Sequence, residues 1–190
     1  MRIVTFDIET VPPTGETKFE VMTQLITVVG VHDSETDLYT AYEVEEFPQL
    51  WKIIEQADVL VGYNSDHFDI PILNKYYPGD LTKIKSLDLL KEVYNMLGRR
   101  LRLDAIAEGT LGTNKSGNGL DAQVWWRNGE KERVKQYCLK DVEITKKVLD
   151  YALENQKLKF KELGKVREVA IDTSDWLKPQ ESSLTQTLGF

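Results

Sequence analysis

Cysteine is nearly absent from the sequence, because Cys138 is the only one among 190 residues. A single cysteine cannot form a disulfide within the chain, which excludes the disulfide-stabilised scaffolds of small secreted domains. Chains without disulfides are typical of reducing compartments, so we expect a cytoplasmic location.

Long hydrophobic runs are also missing. The first apolar run near the N-terminus is interrupted almost at once by Asp7 and Glu9, which is unlike a signal peptide. No stretch approaches the roughly 20 apolar residues that a membrane-spanning helix requires. We therefore expect no membrane partner.

Positive charge is in deficit, with 24 lysines and arginines against 31 acidic residues and a net charge of −7. Proteins that hold nucleic acid by charge alone are usually basic, because neutralisation of phosphates drives their binding. Either nucleic acid is not the partner, or bound metal cations supply part of the positive charge. The second possibility requires a cluster of carboxylates.

The pattern of apolar residues predicts one mixed α/β domain, and 190 residues suit a single core. Alternating and β-branched runs predict five strands, over residues 2–9, 24–32, 38–42, 59–62 and 84–87. Helical spacing predicts helices over residues 45–57, 67–76, 88–97, 103–111 and 130–153. Three strands in a meander, followed by strands that alternate with helices, predict a mixed five-stranded sheet flanked by helices.

The character of the chain changes near residue 155. We predict a domain over residues 1–154 and an extension over 155–190, which carries several lysines and a possible strand at 165–171. The extension either packs on the domain or binds a partner. Turn residues at 114–119 predict a flexible loop.

Asp7 and Glu9 are two residues apart on the first predicted strand, so both side chains project from the same face. Two like charges on an otherwise apolar strand repel each other and resist desolvation, and a bound cation relieves both costs. The alternative is a strand end at which the two acids simply face water.

Asp141 lies in the middle of the apolar stripe of the longest predicted helix, four residues after Tyr137. An acid in that position faces the core or a cleft, where its charge has to be compensated by a salt bridge or by a metal ion. Asp69 precedes Pro71 at the start of a predicted helix. It is either a helix cap, a role that Asp66 fits equally well, or a further ligand.

Three short segments match a known pattern together and in order: residues 6–10 (Phe-Asp-Ile-Glu-Thr), 64–69 (Asn-Ser-Asp-His-Phe-Asp) and 137–141 (Tyr-Cys-Leu-Lys-Asp). With them, residues 1–154 resemble the DEDD superfamily of 3′–5′ exonucleases, which has a ribonuclease-H-like fold. The tyrosine of the third motif is typical of the DEDDy branch, which includes the proofreading domains of family A and family B DNA polymerases.

The resemblance implies a hydrolase that releases nucleoside 5′-monophosphates from single-stranded 3′ ends, DNA rather than RNA in the leading interpretation. It also implies two divalent cations, Mg²⁺ or Mn²⁺, with Asp7 shared between them. Glu9 and Asp141 complete the site of one cation, and Asp69 holds the other. Tyr137 orients the attacking water; without Asp141 beside it, a core aromatic would be the better interpretation of this tyrosine.

The same resemblance assigns substrate contacts to Thr10 and Asn64. Phe68 either stacks on a base or belongs to the core. His67 is either a polar contact at the edge of the cleft or an ordinary helix-start residue. A basic cluster is formed by Arg99, Arg100 and Arg102, and it either contacts phosphates or is only a solvated surface. We expect the Trp125–Trp126 pair to have a packing role.

Several functions remain open on the sequence alone. An RNA-trimming nuclease has the same motifs, and a nucleic-acid-binding accessory module with vestigial chemistry would lack one of the acids, whereas none is missing. If the chain were a structural protein whose acids only cap helices and form salt bridges, the three matched motifs would be a coincidence. The final residues 186–190 (Gln-Thr-Leu-Gly-Phe) vaguely resemble peptides that dock on DNA sliding clamps, so a clamp or repair partner is a further possibility.

Overall fold

A computed structural model of the chain describes residues 1–15, 20–113 and 119–178. The predicted loop at 114–119 lies outside the described residues except for Gly119, and the clamp-like peptide at 186–190 lies outside them entirely. Within the described ranges, no helix has both the length and the apolar character that crossing a bilayer requires.

One mixed sheet forms the centre of the fold. Its strands are β1 (Ile3–Val11), β2 (Leu25–Asp33), β3 (Leu38–Tyr42), β4 (Val59–Gly62) and β5 (Lys85–Asp88), in the order β3-β2-β1-β4-β5. The pairs β1–β2 and β2–β3 are antiparallel, whereas β1–β4 and β4–β5 are parallel. The predicted fold class, an α/β domain with a five-stranded mixed sheet, is confirmed. β1 lies at its centre, where the antiparallel half meets the parallel half.

Helices cover both faces of the sheet: α1 (Phe47–Ile54), α2 (Asp69–Leu73), α3 (Leu89–Leu97), α4 (Leu103–Leu111), α5 (Gly119–Arg127) and α6 (Lys131–Asn155). On one face, Phe6 and Ile8 of β1 pack with Leu50 of α1. On the other, Ile144 and Val148 of α6 pack with the parallel strands. Both faces of β4 are therefore buried, as expected for a central parallel strand.

Helix α5 was not predicted. Ala122 is its only buried residue, so its sequence lacks the wide apolar stripe by which a helix is normally recognised. The predicted packing role of the adjacent tryptophans is seen in part, because Trp125 and Trp126 pack at the edge of a small apolar cluster with Tyr137 and Cys138.

The first half of the predicted extension forms a hairpin of β6 (Lys157–Glu162) and β7 (Lys165–Ala170). Only the second strand was predicted, although lysines alternate with Leu158 and Phe160 along the first. Both apolar side chains are buried in the same core as α6. The hairpin is thus packed on the domain.

Helix α4 holds β6 by close contact and by two hydrogen bonds. A Cβ atom at Gly109 would lie 2.4 Å from the Cα of Phe160, so only glycine permits this approach. The Thr110 hydroxyl donates to the Lys159 carbonyl at 2.6 Å and accepts from the Lys159 N–H at 2.9 Å. One side chain therefore satisfies both backbone groups of a residue in β6.

We predict that Thr110→Val lowers the free energy of unfolding by roughly 1–3 kcal/mol, because two partly buried backbone groups of Lys159 lose their partner. Urea denaturation monitored by tryptophan fluorescence measures the change. Thr113→Val is the matched control, because Thr113 is exposed just after the same helix. Equal stability of the two variants would contradict this account of the hairpin.

Candidate functional site

The central strand β1 presents two acids toward helix α6. Val4, Phe6 and Ile8 alternate into the core beneath α1, so Asp7 and Glu9, each next to one of these residues, point to the opposite face. A register shift between Glu9 and Thr10 marks a β-bulge. Bulges re-aim side chains next to functional sites, and both Glu9 and Thr10 line the cleft that lies here.

Gly30 lets α6 lie close to these acids. It is paired with Asp7 across the β1–β2 ladder. A Cβ atom at Gly30 would lie 2.9 Å from the Cys138 sulfur and 3.1 Å from a methyl group of Val142. The Cys138 thiol in turn donates weakly to the Asp7 carbonyl at 3.4 Å. The absence of a side chain at one position of β2 thus sets the distance between the helix and the strand.

The close approach brings three carboxylates together. One oxygen each from Asp7, Glu9 and Asp141 lies within 4.8 Å of the other two, and Glu9 and Asp141 are only 7% and 4% exposed. Like charges at this spacing and burial repel strongly unless a cation lies among them. Three hard oxygen ligands suit Mg²⁺ or Mn²⁺, so this cluster could hold a divalent metal ion.

The buried thiol of Cys138 does not change this ligand set. Desolvation, followed by the negative charges of Asp7, Glu9 and Asp141, raises the pKa of the thiol well above its ordinary value. The thiol therefore remains protonated near neutral pH, whereas metal ions are bound by thiolates. The available ligands are oxygens alone, which disfavours the soft-metal sites that cysteine would support.

Asp69 lies in the same cleft but outside the group of three. It is the first residue of α2 rather than its cap, and its Oδ1 accepts from the Ile8 N–H at 3.2 Å. Burial raises the pKa of Asp69 to about 7, against the lowering effect of its backbone hydrogen bonds, and the charge of Asp88 raises it further. Asp66, the other candidate cap, instead bonds to Ser86 and Lys91.

These acids line a cleft of about 560 Å³. The cleft contains all of the predicted site residues except His67: Asp7, Glu9, Thr10, Asn64, Phe68, Asp69, Tyr137 and Asp141. Five further residues that were not predicted as site residues also line it: Ile8, Tyr63, Gly119, Leu120 and Gln123. Ile8 lies within the first motif and Tyr63 adjoins the second, whereas the other three lie on α5, which was not predicted.

Tyr137 and Asp141 are one turn apart on α6, and both are buried at the cleft. The ring of Trp125 on α5 packs edge-on against Tyr137, with 5.7 Å between the ring centroids. The guanidinium of Arg133 lies 4.0 Å from the centroid of the Trp125 ring. The tyrosine is therefore held in place from a neighbouring helix.

Asp88 is a supporting residue that the sequence analysis missed. At the end of β5, its buried carboxylate accepts from the N–H groups of Asn64 at 2.8 Å and Asp66 at 3.2 Å. It also caps α3 by accepting from Leu90 at 2.9 Å. Asn64 adopts a left-handed conformation (φ 67°), which asparagine tolerates better than most residues. The loop that carries Asn64 is thus anchored to α3.

The predicted basic cluster does not act as one surface. Arg99 bonds to Glu162 at 2.6 Å and lies over the Phe160 ring, on the hairpin side. Arg100 donates to the side-chain oxygen of Asn64. Arg102 is the one member of the cluster that lines the cleft.

Comparisons with known proteins agree with this architecture. A family model described as the RNase_H superfamily matches residues 4–155. The structure is similar to that of a family B DNA polymerase from the hyperthermophilic archaeon Pyrobaculum calidifontis, with a TM-score of 0.59 and 21% identity. The match covers 80% of this chain but 24% of the polymerase, so the chain spans about a quarter of that protein. At this identity the likeness shows the fold alone. No curated protein matches the sequence.

We predict that Gly30→Ala weakens Mn²⁺ binding by roughly 10- to 100-fold, the range typical when residues that support metal ligands are changed. The added methyl group forces α6 away from β2 at Cys138. Isothermal titration of the metal-free protein with Mn²⁺ measures the affinity.

The double variant Gly30→Ala, Cys138→Ala provides the control, because it removes the sulfur that the new methyl group would meet at 2.9 Å. We expect it to recover part of the lost affinity. Unchanged Mn²⁺ affinity in the single variant would show that the spacing of helix and strand does not set the geometry of the acids.

Proposed function

The chain belongs to the RNase H superfamily, and from this premise we propose that it is a metal-dependent nuclease that trims single-stranded nucleic acid from the 3′ end. DNA is the favoured substrate. The observation that carries the proposal is the meeting of Asp7, Glu9 and Asp141, from opposite ends of the sequence, in one cleft with Asp69 and Tyr137. This is the residue set of the DEDDy exonucleases that the motifs resemble.

Two divalent cations, Mg²⁺ or Mn²⁺, would be held by Asp7, Glu9, Asp69 and Asp141 and would supply Lewis acidity and a lowered pKa for the attacking water. The donor set fits them, because it is made of hard oxygens that are largely buried. Asp69, whose pKa is raised to about 7 by burial, becomes a fully ionised ligand near neutral pH once positive charge is close.

The reaction is hydrolysis of the last phosphodiester. The water oxygen attacks the phosphorus, the bond to the 3′ oxygen of the preceding nucleotide breaks, and that oxygen leaves with a proton as a hydroxyl group. A nucleoside 5′-monophosphate is released. Tyr137 orients the water through its hydroxyl group, which can both donate and accept a hydrogen bond.

The terminal nucleotide is positioned by residues around the acids. Thr10 and Asn64 contact it from β1 and from the loop after β4, and Phe68 packs beside it in the same cleft. Arg102 offers a largely exposed guanidinium at the cleft, bonded to Asp104 at 3.2 Å. The acidic net charge of the chain agrees with this proposal, because cations among the carboxylates supply attraction for phosphate that the protein itself lacks.

Degradation of end-labelled oligonucleotides tests the proposal. Single-stranded DNA and RNA, labelled at the 3′ or the 5′ end, are incubated with Mg²⁺, Mn²⁺ or EDTA. We predict stepwise shortening from the 3′ end, faster on DNA, abolished by EDTA and by Asp7→Asn, and slowed by roughly 10²- to 10⁴-fold in Tyr137→Phe.

Glu143→Gln is the matched control, because Glu143 lies on the same helix as Asp141 but pairs with Lys140 and Lys147 at the surface. It should retain the activity of the unaltered protein. Faster shortening of RNA would point to the RNA-trimming alternative. Binding of oligonucleotides without any cleavage would contradict the proposal and favour an accessory binding module.

A further inference from the structure

A second depression of about 190 Å³ lies beside the cleft, and Asn64 lines both. The segment after α3 also borders both, because Arg102 lines the cleft and Arg100 lines the second depression. His67, which lies outside the cleft, belongs to this neighbour. The two hollows therefore share Asn64 and are adjacent parts of one surface.

The second depression has an apolar floor and an aromatic wall. Leu90 is buried on α3, and Tyr94, one turn later on the same helix, is 49% exposed. Val93 is buried in the core, and Tyr94 follows about 100° further round α3, on the same face as Leu90, where its ring is partly exposed. A partly exposed aromatic ring above an apolar floor is the arrangement on which nucleic-acid bases stack.

Two cations lie at the same depression. Arg100 donates to the side-chain oxygen of Asn64, and its guanidinium has five N–H groups, so it can contact a phosphate while keeping this bond. Lys91 lies 3.1 Å from Asp66, the less buried of the two acids among the lining residues. The carboxylate of Asp88 is buried behind them and accepts backbone N–H groups. Lys91 is thus already paired with an acid, and the exposed Arg100 is the cation that a phosphate can approach here.

The volume indicates how much of a ligand fits. Sites that enclose a whole small molecule usually measure roughly 300–1,000 Å³, and this depression is smaller. It has room for one base with its sugar and phosphate outside. Asp88 joins the loop of Asn64 to the first turn of α3, so the cleft and the wall formed by Tyr94 are held in a fixed relation.

We propose that this depression binds one upstream nucleotide of the strand whose 3′ end occupies the cleft. The base stacks on Tyr94, and the phosphate contacts Arg100. This inference rests on the proposed nuclease function, since it places a further part of the same substrate. Such a subsite makes the enzyme select chains of several nucleotides over isolated phosphodiesters.

Kinetics on two substrates test the inference. The first is a single-stranded oligonucleotide of ten nucleotides, and the second is the 4-nitrophenyl ester of thymidine 5′-monophosphate, which fills the cleft alone. Stacking of a base is worth roughly 1–3 kcal/mol, so Tyr94→Ala should raise KM for the oligonucleotide by roughly 5- to 150-fold. Its KM and kcat for the ester should stay unchanged.

Two variants complete the design. Tyr94→Phe keeps the ring and should keep the KM of the unaltered protein. Met96→Ala is the matched control, because Met96 is 50% exposed on the same helix and does not line the depression. Retained hydrolysis of the ester shows in each case that the variant is folded.

The outcomes separate the two proposals. If the unaltered protein hydrolyses both substrates and Tyr94→Ala does so with the same KM, the upstream subsite is wrong and the nuclease function stands. If Tyr94→Ala slows both substrates equally, the residue has a structural role and the subsite is also wrong. If the unaltered protein hydrolyses neither substrate, the nuclease function fails and the subsite fails with it.

Discussion

The close approach of three carboxylates is the constraint on which the candidate site depends. β1 carries Asp7 and Glu9, α6 carries Asp141, and the bare backbone of Gly30 allows helix and strand to lie close enough for their oxygens to come within 4.8 Å. Such an arrangement costs stability in the folded protein unless positive charge is bound there. This cost is why we interpret the cluster as a candidate cation site rather than as part of the packing.

A second set of constraints acts around the cluster. The buried carboxylate of Asp88 fixes the loop of Asn64 relative to α3, and the Ile8 N–H fixes Asp69 relative to β1. Trp125 holds the ring of Tyr137 from α5. Asn64, Asp69 and Tyr137 are thus each supported by a residue from a different element, so that the sheet and its helices together position them in the cleft.

Local periodicity explains what the sequence could predict. The two-residue spacing of Asp7 and Glu9 places them on one face of a strand, and the four-residue spacing of Tyr137 and Asp141 places them on one face of a helix. The mixed five-stranded sheet could also be predicted, because the alternating and helical runs follow one another along the chain in the order that such a sheet requires. The part played by Gly30 depends on its pairing with Asp7, which exists only in the assembled sheet. Helix α5, with its single buried residue, and the contact of β6 with α4 also depend on tertiary packing.

A crystal soaked in Mn²⁺ and measured for anomalous scattering tests the central claim most directly. The account predicts two anomalous peaks in the cleft, with carboxylate oxygens of Asp7, Glu9, Asp69 and Asp141 as their protein ligands. A cleft without any peak at saturating Mn²⁺, or manganese bound only by acids elsewhere on the surface, would contradict it.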